Sequence, residues 1–141
     1  MLADFDTQNM YSVLKNFSEQ IRKGWELPEN IKVVEPDRII ITGMGGSALP
    51  GAILKSYLTK NFKIPIEINK NYQLPENITS KTLVFAISYS GNTEETVDAF
   101  RQANRKSCQL IAISTGGKLE ELAKKLNKDF IKVPSGIQPR S

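Results

Sequence analysis

A chain of 141 residues, 40% of them apolar, fits one domain with a substantial core, since folding at this size buries roughly 68–70% of the unfolded surface. The single cysteine, Cys108, excludes an internal disulfide framework, and the absence of histidine removes the commonest general base and the commonest metal ligand together. The net charge of +4 is spread along the sequence, with Lys124 and Lys125 the nearest approach to a cluster. That balance favours an anionic ligand and argues against nucleic acid, whose binders carry a basic stripe with aromatics.

In chain order, residues 4–23 read as an amphipathic helix, with Met10, Val13, Leu14, Phe17 and Ile21 at helical spacing and Gly24 as its stop. Trp25 to Pro36 reads as connection. The continuous apolar run Arg38 to Thr42 predicts a strand covered on both faces. A helix follows from Ser47 to Lys60, with Pro50 in its first turn and Ile53, Leu54, Tyr57 and Leu58 as its buried stripe. Ile64 to Asn69 is the next strand, and a Pro/Asn-rich loop covers Tyr72 to Ser80.

Thr82 to Ser88, the most apolar run, predicts a central strand. Asn92 to Arg105 is helix with Val97, Phe100 and Ala103 inward, and Gln109 to Ser114 is strand. Lys118 to Leu126 is helix with Leu119, Leu122 and Leu126 inward, before a short strand from Asp129 to Val133. The alternation implies an α/β fold built on a five-stranded parallel sheet with helices on both faces. No stretch approaches the ~18 apolar residues of a membrane span, and the N-terminus lacks the pattern of a signal peptide. The cytoplasm is the expected compartment, with no membrane partner. Cys108, between a polar stretch and the apolar run Leu110 to Ile113, is expected to be a buried or strand-edge thiol.

Ligands of parallel sheets bind outside the carboxyl ends of the strands, where two turns stand out. Gly43-Met44-Gly45-Gly46-Ser47 follows the first strand, and its glycines let backbone N–H groups approach an anion. It is neither a Walker loop nor a dinucleotide fingerprint. Ser88-Tyr89-Ser90-Gly91-Asn92-Thr93 joins a strand to a helix start. Hydrogen bonds to a charged group contribute about 1.5–3 kcal/mol each, so Ser88, Ser90 and Thr93 converging at a helix N-terminus can hold a phosphate without lysine. One N-cap explains one hydroxyl or amide, not the whole set. Glu94 and Glu95 lie in the first helical turn, and Asn92 with Glu95 has capping-box spacing. The two turns together point to a phospho-sugar site. Past the last strand, turn chemistry alone explains Pro134 to Ser141, and the other reading is that Arg140 reaches a ligand as a fixed cation.

Gly43-Met44-Gly45-Gly46-Ser47-Ala48, Ser88 to Thr96 and Pro134-Ser135-Gly136-Ile137-Gln138-Pro139-Arg140 resemble the sugar isomerase (SIS) domain, and more closely the N-terminal half of bifunctional phosphoglucose/phosphomannose isomerases. The resemblance implies a flavodoxin-like three-layer αβα sandwich. It implies residues 1–35 as an N-terminal helix and connection, 36–134 as the SIS domain, and 135–141 as the start of a connection to a second half. By the same resemblance Ser47, Ser88, Ser90 and Thr93 hold the phosphate of a hexose 6-phosphate, Gly45 and Gly46 lie along the substrate, and Arg140 stands near C1 and C2. No metal or organic cofactor is implied. Similar proteins run about twice as long, and their second SIS domain supplies the proton-transferring glutamate, a histidine and a C-terminal lysine. A homodimer or pairing with a second SIS domain is therefore expected. Two other readings remain: a phospho-sugar-sensing regulatory module without catalysis, and a nucleotide or flavin binder.

Overall fold

The computed structural model describes residues 5–28, 30–58 and 62–136. Ile31–Val133 form one compact unit, and the N-terminal helices belong to a second. In that second unit, helix α1 spans Met10–Lys15 and α2 spans Phe17–Glu26. The single helix expected over 4–23 is thus corrected to two. The first begins at Met10 because the Asp6 carboxylate accepts the Met10 and Tyr11 N–H groups at 2.6 and 2.8 Å. The break falls at Asn16 (φ −93°, ψ 16°), whose side-chain amide turns back to Ser12 Oγ at 3.5 Å. Asparagine competes with the helical backbone in this way. Gly24 lies inside α2 rather than ending it.

The larger unit runs β1 (Arg38–Thr42), a 3-10 turn (Gly45–Ala48), α3 (Leu49–Leu58), β2 (Ile66–Asn69), β3 (Thr82–Ile87), α4 (Glu94–Arg105), β4 (Gln109–Ser114), α5 (Gly117–Lys125) and β5 (Asp129–Lys132). The five strands are parallel in the order β2-β1-β3-β4-β5, so β3 is central as its apolar run implied. Right-handed crossovers carry α3 to one face of the sheet and α4 and α5 to the other, giving three layers. Strand residues alternate between those faces. Ile40, Val84, Ala86, Leu110 and Ala112 form a core with Val97, Phe100 and Ala103 of α4 and Leu119 and Ala123 of α5. The alanines at these facing positions let α4 and α5 lie close to the sheet. Cys108 is buried in the same core, and burial pushes its thiol above the ordinary value, away from the reactive thiolate.

Helix α3 departs from expectation. Ile53, Leu54 and Tyr57 are 62%, 44% and 84% exposed rather than buried, and Leu58 is half-buried. The helix meets the sheet through Gly51 instead, and a Cβ there would press on the Ile41 and Ile68 side chains at 2.8 and 3.1 Å. The sheet contact therefore takes the smallest residue of the helix, and the bulky ones face outward.

Candidate functional site

β1 connects outward to β2, whereas β3 connects across to β4 on the other side of the sheet. The turns leaving β1 and β3 therefore diverge at the carboxyl edge, the switch point where this topology opens a crevice. These are the turns containing Gly43–Ser47 and Ser88–Thr93, and they touch. The Tyr89 N–H donates to Ser47 Oγ at 3.3 Å. Gly43 lies so close that a Cβ would sit 2.9 Å from the Ile87 carbonyl oxygen.

Within the second turn, Ser88 is buried and its Oγ lies 2.8 Å from Thr93 Oγ1 while accepting the Gly91 N–H at 3.1 Å. Ser90 is exposed, and its Oγ accepts the Asn92 N–H at 3.2 Å. Ser88 and Thr93 thus converge, but Ser90 is held by a local bond rather than joined to that pair. Gly91 has φ +69°, and a side chain there would overlap the Gly116 carbonyl oxygen. The β4–α5 turn straps this loop in place. Thr115 donates its N–H and Oγ1 to the Tyr89 carbonyl oxygen at 3.0 and 2.8 Å, the Leu119 N–H donates to the Gly91 carbonyl at 3.0 Å, and the Lys118 N–H donates to Asn92 Oδ1 at 3.1 Å.

The expected capping box does not form. Asn92 spends its side chain on Lys118 N–H and the Ser90 carbonyl, and Thr93 is the N-cap residue. The Thr93 hydroxyl is turned to Ser88 and does not cap α4. The first-turn N–H groups of α4 therefore keep no side-chain cap, the condition in which a helix N-terminus accepts an anion. Thr96, in that first turn, is fully buried, and its Oγ1 finds no hydrogen-bond partner among the described residues.

Beside the turn, Tyr72 Oη donates a long 3.5 Å bond to Glu94 Oε2. Gln102 pins the Tyr72 loop to α4 by donating to the Tyr72 carbonyl at 2.7 Å and accepting the Leu74 N–H at 3.1 Å. The charge of Glu95, then partial desolvation and the charge of Glu94, push the Tyr72 phenol above its ordinary value, so it stays a neutral donor at pH 7. A cavity of about 270 Å³ opens between Tyr72, Asn92, Glu94, Asp98, Arg101 and Lys118. Another of about 200 Å³, at Leu83, Cys108, Gln109 and Lys128, lies at the amino ends of the strands, away from the switch point.

Of the residues named from sequence, Ser47, Ser88 and Thr93 are thus linked through the two turns, and Ser90 lies exposed on the same loop. Gly45 and Gly46 occupy the 3-10 turn before α3. Arg140 lies outside the described residues. Tyr72 and Thr115 come from other loops and Lys118 from the first turn of α5, and nothing in their local sequence marks them.

Residues 32–133 match the SIS domain family model. A bifunctional phosphoglucose/phosphomannose isomerase of Caldicellulosiruptor bescii is 47% identical over 136 residues, covering 94% of this chain and 40% of that protein. A D-glucosamine-6-phosphate 4-epimerase of Sulfolobus acidocaldarius is 35% identical over 133 residues, covering 94% of this chain and 40% of that one. The chain therefore spans about 40% of the length of these relatives. Among solved structures, a putative phosphosugar isomerase from Clostridium difficile superposes with a TM-score of 0.67 at 23% identity, over 86% of this chain and 35% of the other. With the family model spanning the whole sheet and both candidate turns, the chain belongs to the SIS domain family.

Proposed function

We propose that this chain is the phosphate-holding domain of an aldose–ketose isomerase that interconverts glucose 6-phosphate or mannose 6-phosphate with fructose 6-phosphate. The observation that carries this reading is the junction of two hydroxyl-bearing turns at the switch point, joined by the Tyr89–Ser47 bond beside the open N-terminus of α4. In this reading Ser47, Ser88, Ser90 and Thr93 hold the phosphate with the backbone N–H groups of the turn, and Gly45 and Gly46 lie along the sugar. The likeness to isomerases and an epimerase of sugar phosphates supports the substrate class.

The chemistry is a proton transfer through a cis-enediol. A carboxylate takes the proton from C2 or C1 and returns it to the neighbouring carbon, and delivery to either face of C2 gives the glucose or the mannose epimer. Arg140 would steady the developing enediolate. Glu94 and Glu95 serve the helix dipole, and the proton-transferring acid is assigned to sequence beyond this stretch. The chain alone then binds phosphate and catalyses poorly. Carbohydrate metabolism in the cytoplasm is the setting that this activity implies.

Amide NMR titration tests the site. Fructose 6-phosphate is expected to shift Ser47, Ser90, Gly91, Asn92 and Thr93, and inorganic phosphate to shift the same amides more weakly. Shifts confined to the amino ends of the strands would refute the assignment.

A further inference from the structure

Among the described residues, the Thr96 hydroxyl is the one fully buried side-chain oxygen or nitrogen without a hydrogen-bond partner. Thr96 precedes Ala99, Phe100 and Ala103 by three, four and seven residues, and all four are fully buried. The later three lie in the core beneath α4, so Thr96 shares the face of the helix that meets the sheet. An isosteric valine would fill that position without leaving a hydroxyl unbonded, a loss that costs stability. Threonines in helices commonly return the hydroxyl to the carbonyl four residues back. Thr96 does not make that bond. An orphaned buried group in a folded protein calls for an explanation.

Its place in the helix supplies one. Thr96 stands three residues after the N-cap Thr93, the position from which a side chain reaches back to the N-cap residue. Helical side chains also tilt toward the N-terminus, so the hydroxyl is directed at Thr93 and the open end of α4. Thr93 Oγ1 lies 2.8 Å from Ser88 Oγ, and either oxygen can be the donor. One proton of the two lies between them, so the pair as it stands offers an anion a single O–H. A phosphate dianion only accepts hydrogen bonds. For both hydroxyls to donate to it, the pair must open, and Thr93 Oγ1 then loses its partner. We propose that Thr96 is a positioning residue of this site, whose hydroxyl donates to Thr93 Oγ1 when a phosphate draws Ser88 and Thr93 apart. The proposal rests on the phosphate reading of the turn. The new bond satisfies the buried hydroxyl in the liganded state alone and turns the Thr93 proton toward the phosphate. Stability forfeited by the free protein is thereby recovered on binding, and Thr96 adds to affinity without touching the ligand.

Thermal melting and calorimetric titration with fructose 6-phosphate, on the wild type, Thr96→Val and Thr96→Ser, form the test. Thr96→Val is expected to melt higher than the wild type yet bind about 3- to 10-fold more weakly. Thr96→Ser is expected to melt lower, for want of the methyl group, yet keep the wild-type affinity. Thr93→Val is expected to bind weakly, and adding Thr96→Val to it to weaken binding no further, because the acceptor is already gone. A purely structural hydroxyl would give Thr96→Val its higher melting point with unchanged affinity, and that result would overturn the proposal alone. An equal loss of affinity from Thr96→Val in the Thr93→Val background would overturn it too. A wild-type chain that binds no fructose 6-phosphate would overturn the phosphate reading and this proposal together.

Discussion

Ser88 and Ser90 lie two residues apart in one turn, yet substitution of each is expected to read differently. Ser88 is buried, pairs with Thr93 and accepts the Gly91 N–H. Ser88→Ala strands both partners and is expected to cost about 1–3 kcal/mol of stability as well as affinity, measured by denaturant unfolding. Ser90 is exposed and makes one local bond. Ser90→Ala is expected to leave stability within about 0.5 kcal/mol while weakening fructose 6-phosphate binding by about 1.5–3 kcal/mol. Equal stability losses in the two variants would contradict the division of labour drawn from their burial. Gly91→Ala forces a side chain into the left-handed region and onto the Gly116 carbonyl. It is expected to destabilise by more than about 1 kcal/mol and to abolish binding, and an unchanged melting curve would show that the turn relaxes freely.

At the scale of elements, Glu120 ties α5 to β5: its carboxylate accepts Lys124 Nζ at 2.8 Å and lies 3.3 Å from Lys132 Nζ. The Lys124 hydrogen bond, helped by Lys132, holds the Glu120 carboxyl below its ordinary value despite opposing desolvation. A carboxyl depressed in the folded state contributes stability above its unfolded pKa and loses it as pH falls through the folded one. Wild type is therefore expected to lose more melting temperature on acidification through the carboxylate range than Glu120→Gln, and parallel losses would count against the tie. Element by element, legibility followed what the apolar pattern can encode. β1 and β4 have the limits that their apolar runs gave, Arg38–Thr42 and Gln109–Ser114, because both are covered on two faces. The inward residues of α4 followed from a stripe set against an opposite polar face. In α3 no polar face exists to identify the outer side, so spacing alone did not reveal that Gly51 meets the sheet. Asn16 broke the first helix through a side-chain bond that periodicity does not register. Ser47, Ser88 and Thr93 were legible as candidates because the turns that hold them leave the carboxyl ends of β1 and β3. Tyr72, Thr115 and Lys118 were not, since only the fold brings two loops and the start of α5 to the turn.

For the whole molecule, the two candidate turns lie within one compact unit, Ile31–Val133, while the chain spans about 40% of the length of the relatives it matches. Binding and turnover are therefore expected to separate. The most direct measurement is a calorimetric titration of the chain with fructose 6-phosphate and its analogue 5-phosphoarabinonate, repeated on Ser90→Ala and followed by an isomerase assay on the same samples. The expected result is saturable binding of both ligands, weakened in Ser90→Ala, with little or no turnover. Absence of binding, or binding that Ser90→Ala leaves untouched, would contradict the assignment of the Ser88–Thr93 turn as the phosphate site.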